Sequence, residues 1–180
     1  MSVKGRVIAG KYRSRPLEIA FDETTRATKD RVKEAMFSAL IKEIKNSVVL
    51  DLFAGTGALG IEAISRGAKK AIFCENSPKT LQILAKNLQM VEEDYEVFKG
   101  DYKEKLLKIE PNSIDIVLVD PPYNFNIEAV LENIYAAKVL KDTYTIVLET
   151  DKEFTASLNN VKIRQYKYGL THLTIIRGEQ

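Results

Sequence analysis

The chain has few of the residues that cross-link a fold or ligate a metal. A single cysteine, Cys74, excludes an intramolecular disulfide and any Cys-x-x-Cys zinc site. A single histidine, His172, excludes a two-histidine metal centre, and with Cys74 it cannot complete a standard zinc set. No apolar run approaches the roughly 18 residues of a spanning helix. The opening Met-Ser-Val-Lys-Gly-Arg lacks a signal peptide's apolar stretch. A cytoplasmic protein without metal or membrane is therefore expected. Repeats and low-complexity segments are also missing. What is present is ordinary globular composition, 45% apolar and 29% charged over 180 residues, which excludes a wholly disordered chain. At 20.3 kDa, roughly 70% of the unfolded surface is buried on folding, enough for a core without staples.

The net charge of +2 conceals an asymmetry. Residues 1–33 hold nine basic and four acidic groups, net +5, and the remaining 147 residues are net −3. The first fifteen residues carry Lys4, Arg6, Lys11, Arg13 and Arg15 with no acid. Such a segment suits an anion, with nucleic acid the obvious candidate, or is simply a solvated charged terminus. The expected organisation is a basic arm or hairpin over residues 1–27 and one domain over 28–180.

Residues 3–21 alternate loosely and read as a short hairpin split by Gly10 and Pro16. From Thr28, a candidate helix cap, the period changes: Val32, Ala35, Met36, Ala39, Leu40 and Ile44 mark one helical face, with Asp30 in the first turn. After Ser47, strands and helices alternate. Strands are expected at 48–53, 71–75, 95–99, 114–119 and 143–148. Helices are expected after the glycine-rich turn, from Ser77-Pro78, over 128–137 and, briefly, over 152–158. Two late strands, near 161–167 and 173–177, flank Tyr168-Gly169. The pattern implies a doubly wound α/β fold: a mostly parallel, Rossmann-like sheet with an antiparallel C-terminal end.

In such a sheet, ligands bind beyond the carboxyl ends of the strands. Four strands there end in carboxylates: Asp51, Glu75, Asp101 and Asp120. Gly55-x-Gly57-x-x-Gly60 fits the dinucleotide fingerprint, and Glu75 lies 18 residues past Gly57, near the spacing of a ribose-binding acid. NAD remains open on that pattern alone. Asp51, immediately before the turn, would oppose a pyrophosphate but tolerate the cationic methionine portion of S-adenosylmethionine, which favours the methyl donor. Asp120-Pro121-Pro122-Tyr123 adds a stiff turn whose carboxylate and proline carbonyl are acceptors aimed at one point. That pair suits an exocyclic base amine, and Tyr123 offers a stacking face for an unstacked base.

Asp51–Gly60 together with Asp120–Tyr123 resembles the class I S-adenosylmethionine methyltransferases that modify base amines. More narrowly, Arg6–Lys11, Thr28–Phe37 and Leu59–Gly67 resemble the RsmD family, which methylates N2 of a guanine in small-subunit (16S) ribosomal RNA; Ala27 stands where the family has proline. The resemblance implies a seven-stranded sheet. It also implies a donor site of Asp51, Phe53, Ala54, Gly55, Thr56 and Gly57 for the methionine portion, Glu75 for the ribose, and Asp101 and Tyr102 for the adenine, with Asn76 also in the donor site. Thr28 and Arg31 fall in the segment that closes over the donor carboxylate. Asp120, Pro121, Pro122 and Tyr123 take the catalytic positions, and Lys4, Arg6, Lys11, Arg13 and Arg15 the RNA contacts. The substrate is small-subunit RNA, free or within an assembling subunit, and a monomer suffices. The (D/N)PPY motif is shared with DNA adenine-N6 methylases. An NAD-linked oxidoreductase and a non-catalytic RNA-binding module are the rivals from other classes.

Overall fold

The structure, a computed structural model, describes residues 4–19, 26–122 and 124–179. Two short strands, β1 (Lys4–Arg6) and β2 (Pro16–Glu18), pair antiparallel as the expected hairpin. Then follow α1 (Arg26–Ala39), β3 (Val48–Asp51), α2 (Ala58–Ser65), β4 (Lys70–Glu75), α3 (Pro78–Asn87), a 3-10 turn at Leu88–Met90 and β5 (Asp94–Lys99). The chain continues through α4 (Tyr102–Leu106), β6 (Ile114–Val119), α5 (Ile127–Ala136), β7 (Leu140–Thr150), β8 (Val161–Tyr168) and β9 (Thr171–Glu179).

Seven strands form one sheet in the order β5-β4-β3-β6-β7-β9-β8. β3 to β7 run parallel, and β9 pairs antiparallel with both β7 and β8. The order reverses between β3 and β6, so the switch point lies at their carboxyl ends, beside Asp51 and Asp120. Alternation of side chains builds the two covering layers. Leu50, Val117 and Leu148 face α4 and α5 with Leu106, Leu131 and Ile134. Val49, Leu118 and Val147 face the opposite side, where α1 contributes Met36, Phe37 and Leu40.

The N-terminal hairpin is fastened to this domain by its own apolar residues. Val7, Tyr12 and Leu17 are buried with Ile61, Ile64, Phe73 and Leu84. Gly10 (φ +84) crosses so close to α2 that a Cβ there would stand 1.8 Å from the Ser65 carbonyl oxygen. Glu62, fully buried, accepts from the N–H groups of Ile8 and Ala9 and from Arg66 Nε. Lys33 Nζ stands 3.4 Å from Glu62 and donates to the Arg6 carbonyl.

Three local expectations are corrected. Helix α1 starts at Arg26, so Thr28 is its third residue and not its cap, and Asp30 lies beyond the first turn. Arginine and alanine are good helix formers, which lets the helix begin a turn earlier; the division expected between residues 27 and 28 thus falls inside it. Asp30 pairs instead with Arg6, 3.3 Å away. Residues 152–158 form no helix. The Gln165 side chain donates to the Phe154 carbonyl and Thr150 Oγ1 to the Lys152 carbonyl, occupying acceptors that a helical turn would need. Conversely, α4 was not anticipated, although Asp101 caps it by accepting from Lys103 N at 2.8 Å.

Candidate active site

A cleft of about 1370 Å³ runs along the carboxyl ends of the strands. Its walls include the ends of β3, β4, β5 and β6, part of the hairpin, and the turns after β7 and β8. Asp51, Phe53, Ala54, Gly55, Thr56, Glu75, Asn76, Asp101, Tyr102, Asp120, Pro121 and Pro122 all line it. The sequence-based set from four separate strands therefore converges on one space.

The three glycines of the fingerprint do different work. A Cβ on Gly55 (φ +54) would meet nothing within 4 Å, so that residue faces open cleft. On Gly57 (φ +85) it would lie 2.5 Å from Leu84 Cδ1, and on Gly60 2.3 Å from the Phe73 ring. The first glycine thus opens room for a ligand, while the other two let α2 pack against α3 and β4.

Gly57 caps α2 without a side chain, and Asp51 supplies the missing acceptor, its Oδ2 taking the Gly60 N–H at 2.9 Å. The helix N-terminus is therefore already served by a carboxylate, which disfavours a phosphate there. Burial pushes the Asp51 carboxyl up to about 7, with further upward pressure from Asp120 and Glu75. Glu75 braces the same turn. Its Oε2 accepts from Gly55 N at 2.8 Å, and its Oε1 accepts from Asn76 N and Ser77 N. Oε1 is saturated by two donors, whereas Oε2 retains a lone pair toward a ligand.

Aromatic rings form the far wall. Phe53, Tyr102 and Phe125 make a triangle with centroid separations of 5.1, 5.0 and 6.2 Å. Tyr102 is buried, its hydroxyl accepting from Asn133 Nδ2, and Phe125 is 42% exposed. Phe125 was not singled out from the sequence, although an aromatic two residues after a rigid turn was the available signal. Asn87 was also missed. It donates to the Thr56 and Glu18 carbonyls and accepts from Glu18 N, tying the glycine turn to β2. Cys74 is a buried strand residue as expected, its thiol pushed up to about 12 mainly by burial.

Other expected residues lie elsewhere. Tyr123 is outside the described residues, as is the side chain of Thr28. Arg31 is exposed, away from the cleft wall, with its guanidinium 6.0 Å from the Tyr168 ring centroid. Lys11 is held by Glu92 and Glu93 at 2.8 and 2.7 Å, which raises its pKa. Arg13 and Arg15 are exposed, with no ion pair among the described residues. Lys4 lies in β1. No group of metal-ligating side chains occurs among the described residues, nor does any helix there have the length and apolarity to cross a membrane.

The family model described as conserved hypothetical protein 95 matches residues 5–177. Ribosomal RNA small subunit methyltransferase D of Haemophilus influenzae is 40% identical over 154 residues, covering 82% of this chain and 79% of that protein. The same-named protein of Buchnera aphidicola, from Acyrthosiphon pisum, is 32% identical over 149 residues, covering 82% and 78%. Among solved structures, the Escherichia coli protein yhhF superposes with a TM-score of 0.87 at 30% identity, covering 98% of this chain and 99% of that one.

Proposed function

The chain belongs to the RsmD family of S-adenosylmethionine-dependent methyltransferases, and from that premise we propose that it methylates the exocyclic N2 amine of a guanine in small-subunit (16S) ribosomal RNA. The observation that carries this reading is the common cleft, which Asp120-Pro121-Pro122 lines together with the open turn at Gly55 and with Glu75. The residues fit the donor. Gly55 leaves space for its methionine portion, the free lone pair of Glu75 suits a ribose hydroxyl, and Asp101 beside Tyr102 and Phe53 suits an adenine.

Bound S-adenosylmethionine supplies a sulfonium-activated methyl group. The chain's contribution is to prepare the attacking amine. A guanine N2 lone pair is conjugated into the ring and is a poor nucleophile. Asp120 and the Pro121 carbonyl accept its two N–H groups, which localises the lone pair and aims it across the cleft. Neither Pro121 nor Pro122 has an N–H to compete for these acceptors, and their fixed φ keeps the turn stiff. Positive charge developing on nitrogen is stabilised by the same acceptors, already oriented before the reaction. Holding amine and donor at attack distance supplies much of the remaining acceleration. Tyr123 and Pro122 are assigned to the target base. Lys4, Arg6, Lys11, Arg13 and Arg15 are assigned to RNA phosphates, which makes the N-terminal hairpin the RNA-facing part and the chain from α1 onward the transferring domain; Arg13 and Arg15 are the pair least engaged elsewhere. Thr28 is assigned to the donor's carboxylate side; Arg31, which does not line the cleft and lies over Tyr168, is not.

Tritium transfer from the donor to small subunits from cells lacking the protein tests the reaction. Asp120→Ala abolishes transfer while calorimetric donor binding survives; undiminished turnover removes Asp120 from its role. Mass spectrometry of ribosomal nucleosides with and without the protein identifies the product. N2-methylguanosine is expected to disappear, and loss of any other modified nucleoside instead overturns the assignment.

A further inference from the structure

The C-terminal hairpin has features that the donor site does not use. Between Glu153 and Glu179 the sequence contains no acidic residue, yet β8 alone carries Lys162, Arg164 and Lys167. All three are exposed and free of ion pairs among the described residues. Register sets Lys162, Arg164, Tyr166 and Tyr168 opposite Arg177, Ile175, Leu173 and Thr171, hence on the sheet face covered by α1. Arg31 of α1 lies over Tyr168 on that same side. Successive members of this row stand about 7 Å apart along the strand. The result is a track on an edge strand in which two cations are followed by two aromatic rings, the second ring lying under Arg31.

The track ends at the cleft. Tyr168 pairs with Thr171 across a two-residue loop, Gly169-Leu170, and of these two only Gly169 has positive φ, at +61. That is the arrangement of a type II′ turn, whose second position is ordinarily taken by Asn, Asp or Ser. Here it is Leu170, 88% exposed and lining the mouth of the cleft. A lone exposed leucine is common, but an apolar residue at this turn position goes against the local rule with no packing gain. Because β9 begins at the carboxyl edge of β7, the tip projects from the edge that bears Asp120. It lies two strand spacings from β6, about 10 Å. It is also on the flank away from β4 and β5, whose Glu75 and Asp101 suit the donor.

Resting on the function proposed above, we propose that this hairpin is a second RNA-docking element, in which Leu170 fills the gap left in the RNA stack by the extruded target base while Lys162 and Arg164 hold phosphates farther along the RNA. A base amine reaches Asp120 only when its base leaves the stack, and apolar wedges at the base step offset part of that cost. The cations also protect an exposed sheet edge from pairing with another chain. Glutamate protects an edge equally well, which separates the two roles.

Steady-state transfer to small-subunit ribosomal RNA from cells lacking the protein tests the wedge. Leu170→Ala lowers kcat about tenfold or more, leaves the KM for RNA, donor affinity and Tm near wild type, and Leu170→Met restores the rate. In equilibrium titrations with the same RNA, Lys162→Glu/Arg164→Glu weakens affinity at least tenfold with a shallower salt dependence and an unchanged monomer–dimer balance. Wild-type kcat in Leu170→Ala, or unchanged RNA affinity in the double variant, overturns this inference alone. Absence of any RNA methylation by the wild-type protein overturns the function on which it rests.

Discussion

Asp51 is a buried carboxyl whose titration should be visible in the stability of the whole protein. Its folded-state pKa is pushed from 3.8 to about 7 by burial first, then by Asp120 and Glu75, against the favourable hydrogen bond from Gly60 N. In the unfolded chain the same group ionises near its ordinary value. Between those two pH values the unfolded state gives up the proton freely and the folded state retains it. The resulting contribution to stability is full below about pH 4 and is lost as pH rises through about 7. Three units at about 1.4 kcal/mol each come to on the order of 4 kcal/mol, against a total of roughly 5–15 kcal/mol for a domain. Urea unfolding from pH 5 to pH 8 should show stability falling by about 1.4 kcal/mol per unit up to pH 7 and then levelling. Glu93, whose pKa is lowered with Lys11 and Tyr12 as the favourable partners, acts in the opposite sense and only toward acid pH. Asp51→Asn keeps an oxygen for the Gly60 N–H and should remove the slope. Equal slopes in the two proteins would refute the assignment.

A cationic donor beside Asp51 should draw its pKa back down, so calorimetry at pH 7 in buffers of different ionisation enthalpy should detect proton release on S-adenosylmethionine binding. Glu62→Ala leaves Arg66, Lys33 and two backbone N–H groups without their buried acceptor; a loss of about 3–5 kcal/mol is expected in urea unfolding, and a loss below 1 would contradict the geometry. Gly55→Ala and Gly57→Ala should diverge. The former weakens donor binding at a stability cost of about 1–2 kcal/mol, whereas the latter costs more, because its Cβ meets Leu84. Arg13→Glu/Arg15→Glu should weaken RNA binding and flatten its salt dependence without shifting Tm; deletion of residues 1–15 is the poorer test, since it removes the core residues Val7 and Tyr12.

The sequence was most legible where chemistry and local structure coincide. Asp51, Glu75, Asp101 and Asp120 each end a strand or follow one within two residues, so the topology that strand–helix alternation implies also brings them together. Ser77-Pro78 opened α3 as expected, the serine accepting from Thr80 N. Residues whose partners are remote in sequence were not legible. Glu62 looks like an exposed helix glutamate until the hairpin, 53 and 54 residues away, supplies its donors. Asn87 shows its role only when Thr56 and Glu18 arrive on either side. The missing helix at 152–158 has the same origin, since Gln165 competes for a carbonyl from eleven positions away. Leu170 needed both its turn geometry and its place at the cleft mouth.

The hairpin's dependence on distant partners also bears on how the chain is made. Its strongly basic residues leave the ribosome before their partners do: Ile8 and Ala9 wait for Glu62, and the Tyr12 hydroxyl for Glu93, 81 residues later. At about 5–20 residues per second of synthesis, that gap lasts roughly 4–16 s. Throughout it, the hairpin cannot yet take its final shape, and it completes its folding only after β4 and α3 have been translated.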